Sequence, residues 1–266
     1  NVSGQTMLDM VKEAKKKSES TSFSELILGL PGDSKEGHIK SNLELLDSDV
    51  DVVRSHQFIM LPSSPASSEA ERSQHGLVTK FRVVPKTVEA YKMFGEEFYA
   101  PEIDEICVAS KTLPFEDYLE CRSFNLTVEM FYNNGIFEDL VKLVKSNGLK
   151  ISLFVKEIHD EVKKSNKLLE LYDNFLKETK ELYNSREEVE ELLKNKEILK
   201  KYISTEMGNN EQLVYRSIGI LEMMEELHKV AFSVAKKMLV PKMKLNGESN
   251  KFFNEFEAFS LLQKKD

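Results

Sequence analysis

The stretch from Ser22 to Gly37 constrains the fold of this 266-residue chain more than any other segment. A short apolar run there ends in Gly29-Leu30-Pro31-Gly32, and Asp33 or Ser34 follows as the helix N-cap. The glycines and the proline mark a tight loop, and the consecutive apolar residues before it indicate a strand buried on both faces, as in a parallel sheet. The pattern predicts a strand over 23–29, a loop that a ligand can reach, and a helix.

A second unit of the same kind follows. Residues 50–60 are rich in β-branched and aromatic side chains and predict another strand. Ser68 and Glu71 form a capping box for a short helix that ends near Gly76. Strand, helix, strand and helix at this spacing are typical of a parallel α/β layer with right-handed crossovers.

The rest of the chain is mixed and then helical. An amphipathic helix is predicted over Gln5–Ser18, and further strands over 79–84 and 104–110. A Thr112 cap and Pro114 start the helical part. Its predicted helices cover 115–132, 136–145, 151–164, 168–183, 187–202, 212–238 (with Gly219 as a weak point) and a short aromatic segment at 252–259.

Composition excludes several functions. The net charge of −8 argues against a general nucleic-acid binder, which needs a basic surface. No run approaches the roughly 18 apolar residues of a membrane helix. Two cysteines suggest no disulfide framework, so a cytoplasmic location is expected. His56 lacks a second metal ligand at suitable spacing, and no metal site is predicted.

Two segments resemble radical S-adenosylmethionine (SAM) enzymes, and more narrowly the subgroup that carries an N-terminal cobalamin-binding domain. They are LILGLPGDSKEGH at 26–38 and HQFIMLPSSPASSEAERSQHGLVTKFR at 56–82. The residues Phe115-Glu116-Asp117-Tyr118 are similar to the helical extension after the barrel of that subgroup. The resemblance covers roughly residues 1–149.

The resemblance implies an α/β plus α fold. Residues 1–76 would hold the last βα units of a partial (β/α)₆ barrel, with 23–29 as its fifth strand and 50–60 as its sixth. Residues 77–113 would be a mixed connector and 114–266 a mainly helical C-terminal domain. The cofactors implied for the parent enzyme are SAM and a [4Fe–4S] cluster, with cobalamin as a further possibility, and a small molecule would be its substrate.

Several residues depart from the family pattern. The cluster requires a C-x₃-C-x₂-C loop, whereas this chain has Cys107 and Cys121 alone. A cobalamin D-x-H-x-x-G motif is also missing. Ser63 stands where the second loop usually has glycine, so a positive φ angle is not expected there. The chain begins with Asn1, and we expect a fragment without its catalytic centre, whose partner is the missing N-terminal part of the same enzyme.

The candidate cofactor-binding residues are Gly29, Leu30, Pro31 and Gly32, which by resemblance lie near the adenine. The alternative is a tight βα connection without a ligand. On the second strand, the period of two places Arg54 and His56 on one face and Ser55 and Gln57 on the other. One pair is expected to line the barrel and meet substrate, because polar side chains in an apolar strand need partners. An internal hydrogen-bond network or an exposed edge is the alternative.

The function predicted is therefore part of a radical SAM enzyme that cleaves SAM reductively and modifies or methylates a substrate, with this chain inactive alone. The alternative is a non-catalytic helical binding or assembly module, since a stripe such as Leu168, Leu171, Phe175 and Leu182 suits a core or an interface. Unpaired strand edges also predict that the isolated chain associates.

Overall fold

The structure of the chain is a computed structural model. It describes residues 6, 9, 10, 13, 21–48, 50–133, 135–243 and 248–264, so the helix predicted over Gln5–Ser18 lies outside the described residues except at four positions. Within the described part, six strands and eleven α-helices make an α/β protein with small sheets. None of the described helices combines the length and the apolar character that a membrane span requires.

The bounds of the elements are as follows. The strands are β1 (Phe23–Leu28), β2 (Val52–Gln57), β3 (Val78–Val83), β4 (Ala90–Met93), β5 (Glu96–Tyr99) and β6 (Ile103–Ala109). The helices are α1 (Lys35–Asp47), α2 (Glu69–His75), α3 (Phe115–Phe131), α4 (Glu138–Ser146), α5 (Ile151–Val162), α6 (Asn166–Thr179), α7 (Arg186–Leu193), α8 (Lys196–Ile203), α9 (Glu211–Glu222), α10 (Met224–Leu239) and α11 (Ser249–Leu262).

The β1–α1–β2 unit has the predicted order, and its two strands are parallel. Ser34 caps α1, since its hydroxyl accepts a hydrogen bond from the Gly37 amide at 3.1 Å. The predicted strand over 50–60 is too long, because β2 ends at Gln57. The residues after it turn to pair antiparallel with β6, where the Cys107 amide donates to the Phe58 carbonyl at 2.9 Å.

The connector holds more strand than expected. β6 pairs antiparallel with β3, which confirms strands near 79–84 and 104–110. Between them β4 and β5 form a hairpin that the sequence pattern did not predict. Its turn places Phe94 at φ 56° and Gly95 at φ 81°, the positive angles that a two-residue hairpin turn requires. Helix α2 starts at the Ser68 cap and ends at Gly76, as predicted.

Three helical predictions are corrected. The helix predicted over 187–202 is two helices, because the Asn195 side chain accepts from the amides of Glu197 and Ile198 and starts α8. The helix predicted over 212–238 breaks at Met223, which lies outside helical geometry at φ −122° and ψ 22°. Thr112 caps no helix; α3 follows Pro114 without a side-chain cap.

Gly219 lies where its helix packs against two others. A Cβ there would lie 2.6 Å from the Met130 sulfur and 3.5 Å from a Leu171 methyl group. The glycine therefore lets α9 pack closely on α3 and α6.

One apolar core joins the β-α-β unit to the helices. Leu46, Val50 and Val53 belong to the same buried cluster as the apolar side chains of α3, α5, α6 and α10. Leu168, Leu171 and Phe175 are buried in it, whereas Leu182 is partly buried against a second cluster around Leu28. The stripe along α6 therefore packs inside the chain.

Candidate functional site

The β1–β2 sheet buries one face and leaves the other uncovered by the described residues. The buried side faces α1 and α3, where Leu28, Val53 and Ser55 have at most 8% exposure. The exposed side chains of β1 and β2, together called the open face, are Phe23, Glu25, Ile27, Arg54 and His56. Alternation along both strands thus separates Arg54 and His56 from Ser55 and Gln57.

Charged groups occupy the middle of the open face. His56 Nε2 lies 3.2 Å from Glu25 Oε1, across the two strands. Glu25 is also the register partner of Arg54. Among the described residues no carboxylate lies within ion-pair distance of Arg54. The open face therefore offers an acid, an imidazole and a guanidinium between apolar side chains.

The other two polar residues of β2 point into the protein. Gln57 donates through Nε2 to the Tyr118 hydroxyl at 2.7 Å. The Ser55 hydroxyl is buried and has no hydrogen-bond partner among the described residues. Gln57 therefore has a partner inside the protein, whereas Arg54 and His56 are exposed.

The loop Gly29–Gly32, called the glycine loop, follows β1 at the carboxyl edge of the sheet. Gly29 and Gly32 have φ angles of 96° and 83°, which favour glycine. They differ in surroundings: a Cβ on Gly29 would lie 3.2 Å from the Cys107 carbonyl oxygen, whereas one on Gly32 would meet nothing within 4 Å. Gly29 is thus required by the close approach of β6, and the side open to a ligand is at Gly32 and the 40% exposed Leu30.

This difference predicts unequal costs of alanine. Gly29→Ala is expected to lower the free energy of unfolding by about 2 kcal/mol, because positive φ and contact with backbone both oppose the methyl group. Gly32→Ala is the matched control, with an expected loss of about 1 kcal/mol from φ alone. Urea unfolding measures both. Equal losses would contradict the assignment of Gly29 to the contact with β6.

The second loop differs from the sequence expectation. Ser63 has a φ angle of 65°, so the absence of glycine does not keep its backbone from the left-handed region. A side chain at such an angle costs roughly 1 kcal/mol, which the surrounding turn must offset. The Ser64 amide donates to the Leu61 carbonyl at 3.1 Å and closes this turn. Leu61 is 63% exposed beside it.

The two outer edges of the sheet differ. Within the described part β1 pairs with β2 alone, so its outer backbone edge has no strand neighbour there. The outer edge of β2 is occupied by a side chain: Asn133 Oδ1 accepts from the Val53 amide at 2.8 Å, and Asn133 Nδ2 donates to the Val53 carbonyl at 2.7 Å. At Val53 the asparagine amide therefore takes the place of a neighbouring strand.

The cysteines do not fit an iron–sulfur cluster in this chain. Cys107 and Cys121 have 0% exposure, and burial raises the pKa of the thiols to about 11 and about 12. This favours the thiol over the thiolate that a cluster needs. Among the described residues no group of three histidines, cysteines or carboxylates could hold a metal ion.

Sequence reasoning did not single out Glu25 on the open face, Asn133 beside β2 or Thr112 beside Asp33. A charged residue at position 25, alternating with Ile27 in an apolar strand, is the signal that points to Glu25. Asn133 and Thr112 act through contacts 80 and 79 residues distant in sequence, which local patterns do not contain. No protein-family model matches this chain, and the curated proteins contain no match to it.

Proposed function

We propose that this chain is the C-terminal part of a radical SAM enzyme, in which β1 and β2 are the last two strands of a partial barrel. The open face would line the substrate cavity, and the glycine loop would border the adenosyl group. Cobalamin as a second cofactor belongs to the same proposal. The cluster ligands and the missing strands would come from the N-terminal part of the enzyme.

The unequal edges of the sheet carry this proposal. A last strand needs no further neighbour, and Asn133 occupies the outer edge of β2 at Val53. A fifth strand needs a fourth, and β1 has an unpaired outer edge among the described residues. The exposed Phe23 (66%) and Ile27 (45%) on the open face also call for a covering layer, because apolar burial stabilises a sheet.

The glycine loop and the open face would have different tasks in such an enzyme. When bound, the cluster and SAM would supply a carbon-centred radical by reductive cleavage. Leu30 and Gly32 would pack against the adenosyl group and exclude water from it. Arg54 would bind an anionic group of the substrate, since guanidinium pairs readily with carboxylate or phosphate. The Glu25–His56 pair would hold or accept a proton there.

The test uses the whole reading frame that encodes this chain. We expect that reading frame to encode a C-x₃-C-x₂-C motif upstream of this chain. After anaerobic reconstitution with iron and sulfide, the whole protein is expected to form deoxyadenosine from SAM. Residues 1–266 alone are expected to form none. Leu30→Glu in the whole enzyme should raise the KM for SAM at least about tenfold, because it places a carboxylate against the ligand.

Leu221→Glu on α9 is the control, since Leu221 is 80% exposed and far along the chain from the glycine loop. It should leave the KM unchanged. A stop codon directly before Asn1, or SAM cleavage by residues 1–266 alone, would overturn the proposal. Equal KM values for the two variants would show that the glycine loop does not contact SAM.

A further inference from the structure

The glycine loop is held from outside its own β-α-β unit. Asp33, the residue after the loop, folds back so that its carboxylate accepts from the Gly29 amide at 3.1 Å and from the Ser34 amide at 2.9 Å. The carbonyl of Asp33 in turn accepts from the Thr112 hydroxyl at 2.6 Å. Asp33 therefore closes the loop, and Thr112 holds Asp33.

The turn that carries Thr112 is itself fixed. The Ser110 amide donates to the Leu113 carbonyl at 2.8 Å, and the Ser110 hydroxyl accepts from the Leu113 amide at 3.2 Å. Leu113 has 0% exposure and packs in the cluster that contains Leu28, the last residue of β1. The turn and the end of β1 thus share one core, whereas Thr112 itself is exposed.

An ion pair holds the start of α1, directly after the glycine loop and its cap. Lys35, the first residue of α1, places its ammonium group 2.7 Å from Asp117 and 3.1 Å from Glu120 of α3. The Cys107 carbonyl lies against Gly29, as described above. All of these contacts come from one segment of the chain, 107–120, which follows the sheet.

We infer that Thr112 is a positioning residue for the glycine loop: its hydrogen bond to the Asp33 carbonyl sets the conformation in which the loop receives its ligand. Two glycines make the loop costly to order, and a loop that is ordered before binding has a higher affinity. That the ligand is the adenosyl group of SAM rests on the proposed function. The bracing of the loop does not.

Thr112→Val tests the inference, because it removes the hydroxyl and keeps the shape. In residues 1–266 we expect amide hydrogen exchange over Gly29–Asp33 to become roughly 3- to 10-fold faster, the factor that one hydrogen bond provides. In the whole enzyme the KM for SAM should rise by a similar factor. The turnover rate of SAM cleavage at saturation should change less than about twofold. Thr112→Ser should restore both the exchange rate and the KM.

Thr87→Val is the matched control, because the Thr87 hydroxyl also donates to a backbone carbonyl in a turn, that of Val84 at 2.8 Å. It should leave exchange over Gly29–Asp33 and the KM for SAM unchanged. Unchanged amide exchange in Thr112→Val would overturn the inference, whatever the KM for SAM. Faster exchange in Thr112→Val, combined with a whole wild-type enzyme that binds no SAM, would support the bracing and overturn the proposed function instead.

Discussion

Replacing Arg122 with leucine is expected to lower the free energy of unfolding by about 3–5 kcal/mol, because a buried carboxylate loses its closest counter-charge. Arg122 is 3% exposed and donates at 2.6 Å to Glu211 and at 2.6 Å to Gln212. Its guanidinium also lies 5.4 Å from the centre of the Phe175 ring. After the substitution, Arg82 at 3.6 Å is the ion-pair partner that Glu211 keeps among the described residues.

Urea unfolding of the Arg122→Leu variant measures this loss. Lys200→Leu is the control: its ion pair with Glu197 is on the surface, with both side chains at least 70% exposed, and its loss should leave the urea midpoint nearly unchanged. The double variant Arg122→Leu with Glu211→Leu should lose less than the sum of its single variants, since no charge of this pair is then left unpaired. A loss below about 1 kcal/mol for Arg122→Leu alone would contradict the buried pair.

Acid is expected to destabilise the protein through His159, a half-buried histidine. Burial, together with the positive charge of Lys163, lowers the pKa of His159 to about 4. The unfolded chain has the ordinary value near 6.5, so between these values the unfolded state binds the proton and the folded state does not. The contribution of neutral His159 to the free energy of unfolding is therefore fully present above about pH 6.5, and it is lost as the pH falls toward 4. The expected loss is about 2–3 kcal/mol.

Unfolding in urea at a series of pH values, with His159→Asn as the comparison, measures this dependence. Asparagine keeps a polar atom near the Thr127 hydroxyl, which lies 2.7 Å from His159 Nδ1, but takes up no proton. The variant should show a shallower loss between pH 6.5 and pH 4. His38 and His228 also have pKa values lowered by burial and act in the same direction in both proteins. An NMR titration that placed the pKa of His159 above 6 would contradict the mechanism.

Local sequence patterns predicted the elements whose signals are local. The strand, loop and helix around Gly29–Gly32 follow from apolar runs, glycines and the Ser34 cap, all within a few residues of one another. The length of β2 could not be predicted, because Phe58–Met60 is apolar whether it continues a parallel strand or pairs with β6. Ile59 is bridged to Ile106, which lies outside any local window.

The candidate site was likewise predictable only in part from local sequence. The period of two assigned Arg54 and His56 to one face, but the sequence did not say which face the helices cover. That choice depends on α3, which packs on β2 from more than 50 residues away. The bond from Thr112 to Asp33 likewise depends on the tertiary fold alone. The resemblance to radical SAM enzymes is carried by short sequence motifs, and the function that it implies remains a prediction.

The asparagine at the outer edge of β2 also limits how copies of this chain can join through their sheets. A sheet with two free edges can add a copy at each side and grow without end, as in a filament. A sheet with one free edge can accept a single neighbour, after which no edge is left. By bonding the Val53 backbone, Asn133 blocks strand addition at that point of β2, so pairing between copies through the β1–β2 sheet is expected at the outer edge of β1.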